Sequence, residues 1–157
     1  MYSASDPRVI KTMEAVRQTL WIKTNVGGIA RYENDSYQRV SADTSQVPGN
    51  PWFVCTLWLA RWLIECATST EELQPALELL RWVADHSLPS GVLAEQVHPF
   101  THAPLSVSPL TWSHAEVVST VTAYVAKIAS LNTCPTCGQP IAMLPGQTSG
   151  GPTEPRR

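Results

Sequence analysis

Apolar positions recur at helical spacing in four stretches of the chain, joined by one short and two long segments without a period. The first stretch opens at Asp6-Pro7, an Asx cap followed by proline at the first helical position. Val9, Ile10, Met13, Val16 and Leu20 then predict a helix over about 7–22. Gly27-Gly28 lies just beyond, and no period returns until Pro51, which predicts the opening of a second helix from Trp52 to about Ala67. Ser69 or Thr70 caps a third, with Glu72 complementing its dipole and Leu73, Ala76, Leu77, Leu80, Val83 and Ala84 along one face. A segment rich in Pro, Gly and His follows from Ser87 to Thr111. The fourth helix is expected from near Ser113 to about Leu131, with Val117, Val118, Val121, Val125 and Ile128 as its stripe. The pattern predicts an all-α fold without internal repeats.

The second helix is apolar on every side, apart from Arg61 and Glu65 towards its end. Such a helix is buried on every side, and three neighbours of moderate length scarcely cover it. It therefore sits at the centre of a tight four-helix bundle, or the chain belongs to a larger helical body or oligomerises. If successive helices run up and down, both long connections emerge at one end. Long irregular connections in compact domains are usually functional, so that end is the expected place for a site.

Composition narrows the classes. Eleven bases against thirteen acids give a net charge of −2 over 157 residues, with no basic stripe to hold phosphates, so no nucleic-acid partner is expected. Only 15% of residues are charged, and six Trp among 43% hydrophobic residues suggest heavy burial. The apolar run from Trp52 to Ala60 is too short to cross a bilayer, and the first residues resemble no signal peptide. No membrane partner and a cytoplasmic location are the corresponding expectations. Four Cys are too few for a disulfide scaffold.

The two long loops carry carboxylates, an arginine, amides and aromatics. Planar rings pack on the C–H faces of a sugar while charged and amide groups bond its hydroxyls. Glycoside hydrolysis further needs two carboxyl groups, one protonating the leaving oxygen and one activating water or attacking the anomeric carbon. Four separated segments, Arg31-Tyr32-Glu33-Asn34-Asp35-Ser36-Tyr37, Gly49-Asn50-Pro51-Trp52, Ala94-Glu95-Gln96 and Leu110-Thr111-Trp112-Ser113-His114-Ala115, resemble in order and spacing the closing motifs of glycoside hydrolase family 15. That family includes glucoamylases, glucodextranases and some trehalases. The resemblance covers roughly residues 6–130. It implies that residues 1–131 are the carboxy-terminal third of an (α/α)6 barrel, whose last four helices these would be. It also implies inverting hydrolysis of a terminal α-glucosidic bond in an α-glucan or α-glucoside, with no cofactor for catalysis. Glu95 would be the general base, Arg31 and Asp35 would line the sugar subsites, and Gln96 would assist the base or the sugar. Tyr32, Tyr37, Trp52 and Trp112 would shape the pocket. The family's general acid sits on an earlier loop, so the resemblance implies that it is missing from this chain. The partner would be the upstream part of the barrel or another chain.

Cys55 and Cys66 lie about 16 Å apart along one helix at 1.5 Å per residue and cannot bond each other; they read as buried thiols. Cys134-Pro135-Thr136-Cys137-Gly138, within a knuckle over residues 132–145, is of the type that supplies half a tetrahedral zinc site. Cys134 and Cys137 are thus candidate ligands of a structural zinc, beside the reading as an unmetallated turn. His98, His102 and His114 lack ligand spacing, and His114 is expected to orient its loop by hydrogen bonds. Residues 146–157 read as a disordered tail. Two other functions stay open: a non-catalytic carbohydrate-binding or complementing subunit, and a zinc-knuckle interaction protein.

Overall fold

A computed structural model describes residues 2–134, 136 and 139 of the chain. Cys137 and the 146–157 tail lie outside the described residues. The elements in chain order are α1 (Pro7–Leu20), β1 (Ile29–Ala30), β2 (Pro51–Trp52), α2 (Phe53–Cys66), a 3-10 turn (Glu71–Leu73), α3 (Gln74–Asp85), β3 (Gln96–Val97), β4 (Pro104–Leu105) and α4 (Thr111–Leu131).

The helix starts follow local chemistry. The Asp6 carboxylate accepts the Arg8 N–H at 2.9 Å and so satisfies one orphan donor of α1. Before α3, the Glu72 N–H donates to Ser69 Oγ at 3.4 Å while Glu72 Oε2 accepts the Thr68 N–H at 2.7 Å, a reciprocal cap. The third helix thus begins as a 3-10 turn and becomes α-helical at Gln74-Pro75.

Helix α2 is central, packing against α3 on one side and α4 on another. Phe53, Leu57 and Ile64 are buried along it, and α1 lays Met13, Val16 and Leu20 over its Leu59–Ala60 side. It is not enclosed, however: Trp58 is 47% exposed, and Arg61, Trp62 and Leu63 are half-buried. The expected stripe of α4 is corrected as well. Val117, Tyr124, Ile128 and Leu131 turn towards the core, around the buried Ser113 and Thr120. Val118, Val121 and Val125, one position further round, are exposed. A helix whose apolar positions fill two adjacent rows cannot bury both against one neighbour.

The all-α expectation needs one addition. Four two-residue strands form an antiparallel sheet in the order β1-β2-β3-β4, with Ile29 opposite Trp52, Trp52 opposite Gln96, and Gln96 opposite Leu105. Pro51 and Trp52, expected to open a helix, are extended and belong to β2; Trp52 caps α2 only with its backbone. Gly28 is required beside this sheet. Its φ is +87°, and a Cβ there would stand 2.8 Å from both Pro51 Cβ and Trp82 Cζ2.

Candidate active site

The small sheet joins the two long loops, since β1 lies near the start of the first and β2 at its end, while β3 and β4 form a hairpin in the second. Both loops therefore meet along the Trp52–Gln96 pair, as the loop lengths suggested.

Asp35 organises the first loop. Though in a loop, it is only 1% exposed. Its carboxylate accepts two bonds from Arg31, Nε to Oδ2 at 3.0 Å and Nη2 to Oδ1 at 2.9 Å, and a third from the Tyr37 N–H at 3.0 Å. Its own N–H donates to the Pro48 carbonyl, and its carbonyl accepts from Arg39 Nε at 3.0 Å. Gly49 permits this approach, because a Cβ there would lie 2.9 Å from Asp35 Cβ. Burial pushes the Asp35 carboxyl up, but the Arg31 guanidinium and the Tyr37 N–H outweigh that and hold it below the ordinary carboxylate range. The same bond raises Arg31.

The Arg31 guanidinium is ringed by aromatics, 4.6 Å from the Trp52 ring, 4.8 Å from Tyr32 and 5.4 Å from Tyr37. Its Nη2 also donates to Tyr32 Oη at 3.3 Å. Its Nη1 has no protein acceptor among the described residues, which leaves two directed donors for a ligand's oxygens. Tyr32 and Tyr37 offer exposed ring surface, whereas Trp52, 5% exposed, shapes the floor beneath Arg31.

Glu95 and Gln96 lie across the sheet. Glu95 is half-buried, its N–H bonded to the Val107 carbonyl and its carbonyl to the Phe53 N–H. Its Oε2 accepts from Ser106 Oγ and, at 3.4 Å, from Gln96 Nε2. Ser106 Oγ lies 3.2 Å from Tyr37 Oη. Since Ser106 gives its only proton to Glu95, the Tyr37 hydroxyl donates to Ser106, and one hydrogen-bonded chain links the first loop to Glu95. Glu95 Oε1 has no protein partner among the described residues. Gln96 is wholly buried, so it reaches the site through Glu95 rather than through its own surface.

Trp112 is the remaining expected residue. It is 52% exposed and engages Trp58 edge-on, ring centroids 5.7 Å apart, rather than the Arg31 or Glu95 networks. The following Ser113 anchors the helix start by donating to the Ala94 carbonyl at 2.9 Å. His114 does orient its loop: its Nε2 accepts the Leu93 N–H at 3.0 Å.

Sequence reasoning assigned no role to Ser106, Asn50 or Arg39. Ser106 follows β4, and only the hairpin register places it over Glu95. Asn50 lay inside a recognised motif, and its contacts were the missing information. Cys55 sits beneath this region, and burial pushes its thiol up to about 12, which keeps it protonated and unreactive. Among the described residues no group of three or more His, Cys, Asp or Glu side chains could hold a metal. The Cys134 N–H closes a turn on the Gln139 carbonyl, and its expected companion Cys137 lies outside the described residues.

Two loops carried by a helical scaffold thus bring an aromatic-ringed arginine and an anchored carboxylate together. A solved bacterial glucoamylase complexed with acarbose is similar to this chain over 80% of its length, with a TM-score of 0.65 and 26% identity. The glucoamylase of Hormoconis resinae shares the fold over 73% of the chain at a TM-score of 0.51 and 20% identity. In sequence, an uncharacterized glycosyl hydrolase of Methanocaldococcus jannaschii is 35% identical over 124 residues, 73% of this chain. Residues 1–80 match the profile of Glycosyl hydrolases family 15. The chain belongs to glycoside hydrolase family 15. It spans 18% of the length of the Methanocaldococcus relative and 18% of the bacterial glucoamylase.

Proposed function

We propose that the chain is the base-bearing part of an inverting α-glucoside hydrolase of the glucoamylase type. The observation that carries this reading is the asymmetry of Glu95: Oε2 is fixed by Ser106 and Gln96, while Oε1 is left to take a proton. In the reaction Glu95 removes a proton from water as the water oxygen attacks the anomeric carbon. The glycosidic C–O bond breaks on the opposite face, and its oxygen takes a proton from a general acid. Arg31, held rigid by Asp35, donates to the sugar hydroxyls, and Tyr32 and Tyr37 provide ring surface.

The general acid is supplied from outside these residues. Such an acid must keep its proton at working pH. Asp35 does the reverse, since its pairing with Arg31 holds it ionised. Helices α1 to α4 are the closing part of an (α/α)6 barrel, completed by a further helical segment or a second chain. Exposed Trp58, Trp112, Val118, Val121 and Val125 support that reading, because monomers rarely leave such a surface uncovered. A structural zinc held by Cys134 and Cys137 remains a separate proposal, tested by metal content.

Glucose release from maltooligosaccharides, isomaltose and trehalose tests the function, with the 157-residue chain alone and combined with a segment that supplies the upstream helices. The expected result is turnover only in the combination, and its loss in Glu95→Gln. Turnover by the chain alone would refute the external acid, and turnover surviving Glu95→Gln would refute the base. Saturable binding of glucose oligomers with no turnover in any combination would replace the reading with a carbohydrate-binding subunit.

A further inference from the structure

We propose that Asn50 is a positioning residue for Glu95, acting through the side-chain amide of Gln96. The proposal rests on the reading of Glu95 as the general base. Asn50 and Gln96 are both buried, 2% and 0% exposed, and face each other across the first and second loops. Asn50 Nδ2 donates to the Gln38 carbonyl at 2.7 Å and to Gln96 Oε1 at 2.8 Å, and Gln96 Nε2 donates to Glu95 Oε2 at 3.4 Å.

The direction of this relay is dictated from its first member. A backbone carbonyl can only accept, so the Asn50 atom beside Gln38 must be the nitrogen. That same nitrogen faces Gln96 and has a proton to give, so it meets the Gln96 oxygen. The Gln96 nitrogen is thereby turned to the carboxylate. Reversing both amides would set Asn50 oxygen against the Gln38 carbonyl and Gln96 oxygen against Glu95, two acceptor–acceptor contacts in a buried place. Gln38 holds its end from φ +53°, a left-handed conformation that side chains other than glycine seldom adopt. The strand pairing of Trp52 with Gln96 fixes the backbone on both sides of the relay.

Asn50 therefore makes Gln96 a donor rather than an acceptor to Glu95. Together with Ser106 it confines the carboxylate's anchoring to Oε2 and leaves Oε1 as the atom presented to water. Aspartate at position 50 has nearly the same shape but no proton to give when ionised. It would draw the Gln96 nitrogen to itself and turn the Gln96 oxygen against Glu95.

The test follows the Gln96 side-chain amide pair in proton–nitrogen correlation spectra of the isotope-labelled full chain through an acid titration. The wild-type pair is expected to shift as Glu95 is protonated, and that response is expected to vanish in Glu95→Gln. In Asn50→Asp the amide is turned to the new carboxylate, so its response is expected to persist when Glu95→Gln is added, while the backbone spectrum keeps its native dispersion. A wild-type pair that does not respond, or whose response survives in Glu95→Gln, overturns the relay even if Asn50→Asp fails to fold. A folded Asn50→Asp whose response is abolished by adding Glu95→Gln overturns the role of Asn50. Failure of the base assignment looks different: glucose release by the assembled hydrolase would survive Glu95→Gln although the wild-type amide pair still responds to acid.

Discussion

Asp35→Asn changes almost no volume and removes one charge from a side chain that is 1% exposed, so its effect isolates the Arg31–Asp35 fork. In the variant one side of the fork becomes an NH2 facing a guanidinium N–H, and one of the bonds at 2.9–3.0 Å is lost outright. A charge-assisted bond is worth about 1.5–3 kcal/mol net. The full cost of a broken buried pair does not apply, because the Arg31 side chain is 37% exposed and is rehydrated and screened. A loss of about 2–3 kcal/mol is expected, which for a domain of this size lowers Tm by about 5–10 °C. Urea unfolding of wild type, Asp35→Asn, Arg31→Gln and the double variant measures it, and the cycle should give a coupling of about 1.5–2 kcal/mol at an unchanged m-value. The pH dependence has a fixed sign. The folded carboxyl lies below its unfolded value, so its stabilisation is complete above that value, about 4, and is lost as pH falls through the folded one. Wild type should thus lose stability below about pH 4 more steeply than Asp35→Asn. A variant within about 0.5 kcal/mol of wild type would show the fork to be an ordinary surface pair and refute the reasoning.

Gly28→Ala should cost at least about 2 kcal/mol, read by urea unfolding, since it adds positive-φ strain to overlap with Pro51 and Trp82. Ser106→Ala removes a donor to Glu95 and should lower turnover of the assembled hydrolase about tenfold, or about 1.4 kcal/mol, with KM little changed. His86 bonds His102 at 2.9 Å and the Trp82 carbonyl at 2.7 Å, and burial lowers its proton affinity. Its folded value lies below its unfolded one, so stability present above about pH 6.5 should fall as the pH drops. His86→Gln should flatten that slope in pH-resolved thermal melts.

The helices were legible because their signals are local. Asp6-Pro7 caps α1 as read, and Ser69 caps the third helix with Glu72 in support. The central position of α2 followed from its uniform apolarity, and its exposed Trp58 shows that a pattern cannot say how many neighbours are present. The strands were invisible for a different reason. Two residues cannot display a period, and Pro51-Trp52 carries a helix-opening signature although pairing with β1 and β3 makes it extended. At the site, the motif residues Arg31, Tyr32, Asp35, Tyr37 and Trp52 do converge, as do Glu95 and Gln96. Ser106 and Asn50 escaped because their partners are set by register across the sheet, a property of two segments together.

The eight-residue sheet also governs when the site can exist during folding. Helices α2 and α3 are neighbours in sequence and can dock early, whereas pairing Trp52 with Gln96 closes a loop containing both of them. By that measure the pairing that joins the two loops is expected to follow the docking of α2 on α3. Amide exchange should report that order, with Trp52 and Gln96 losing protection before Leu57 and Ile64. In a native ensemble the geometry of the candidate site would then be switched on and off as a single step, without melting α2 and α3.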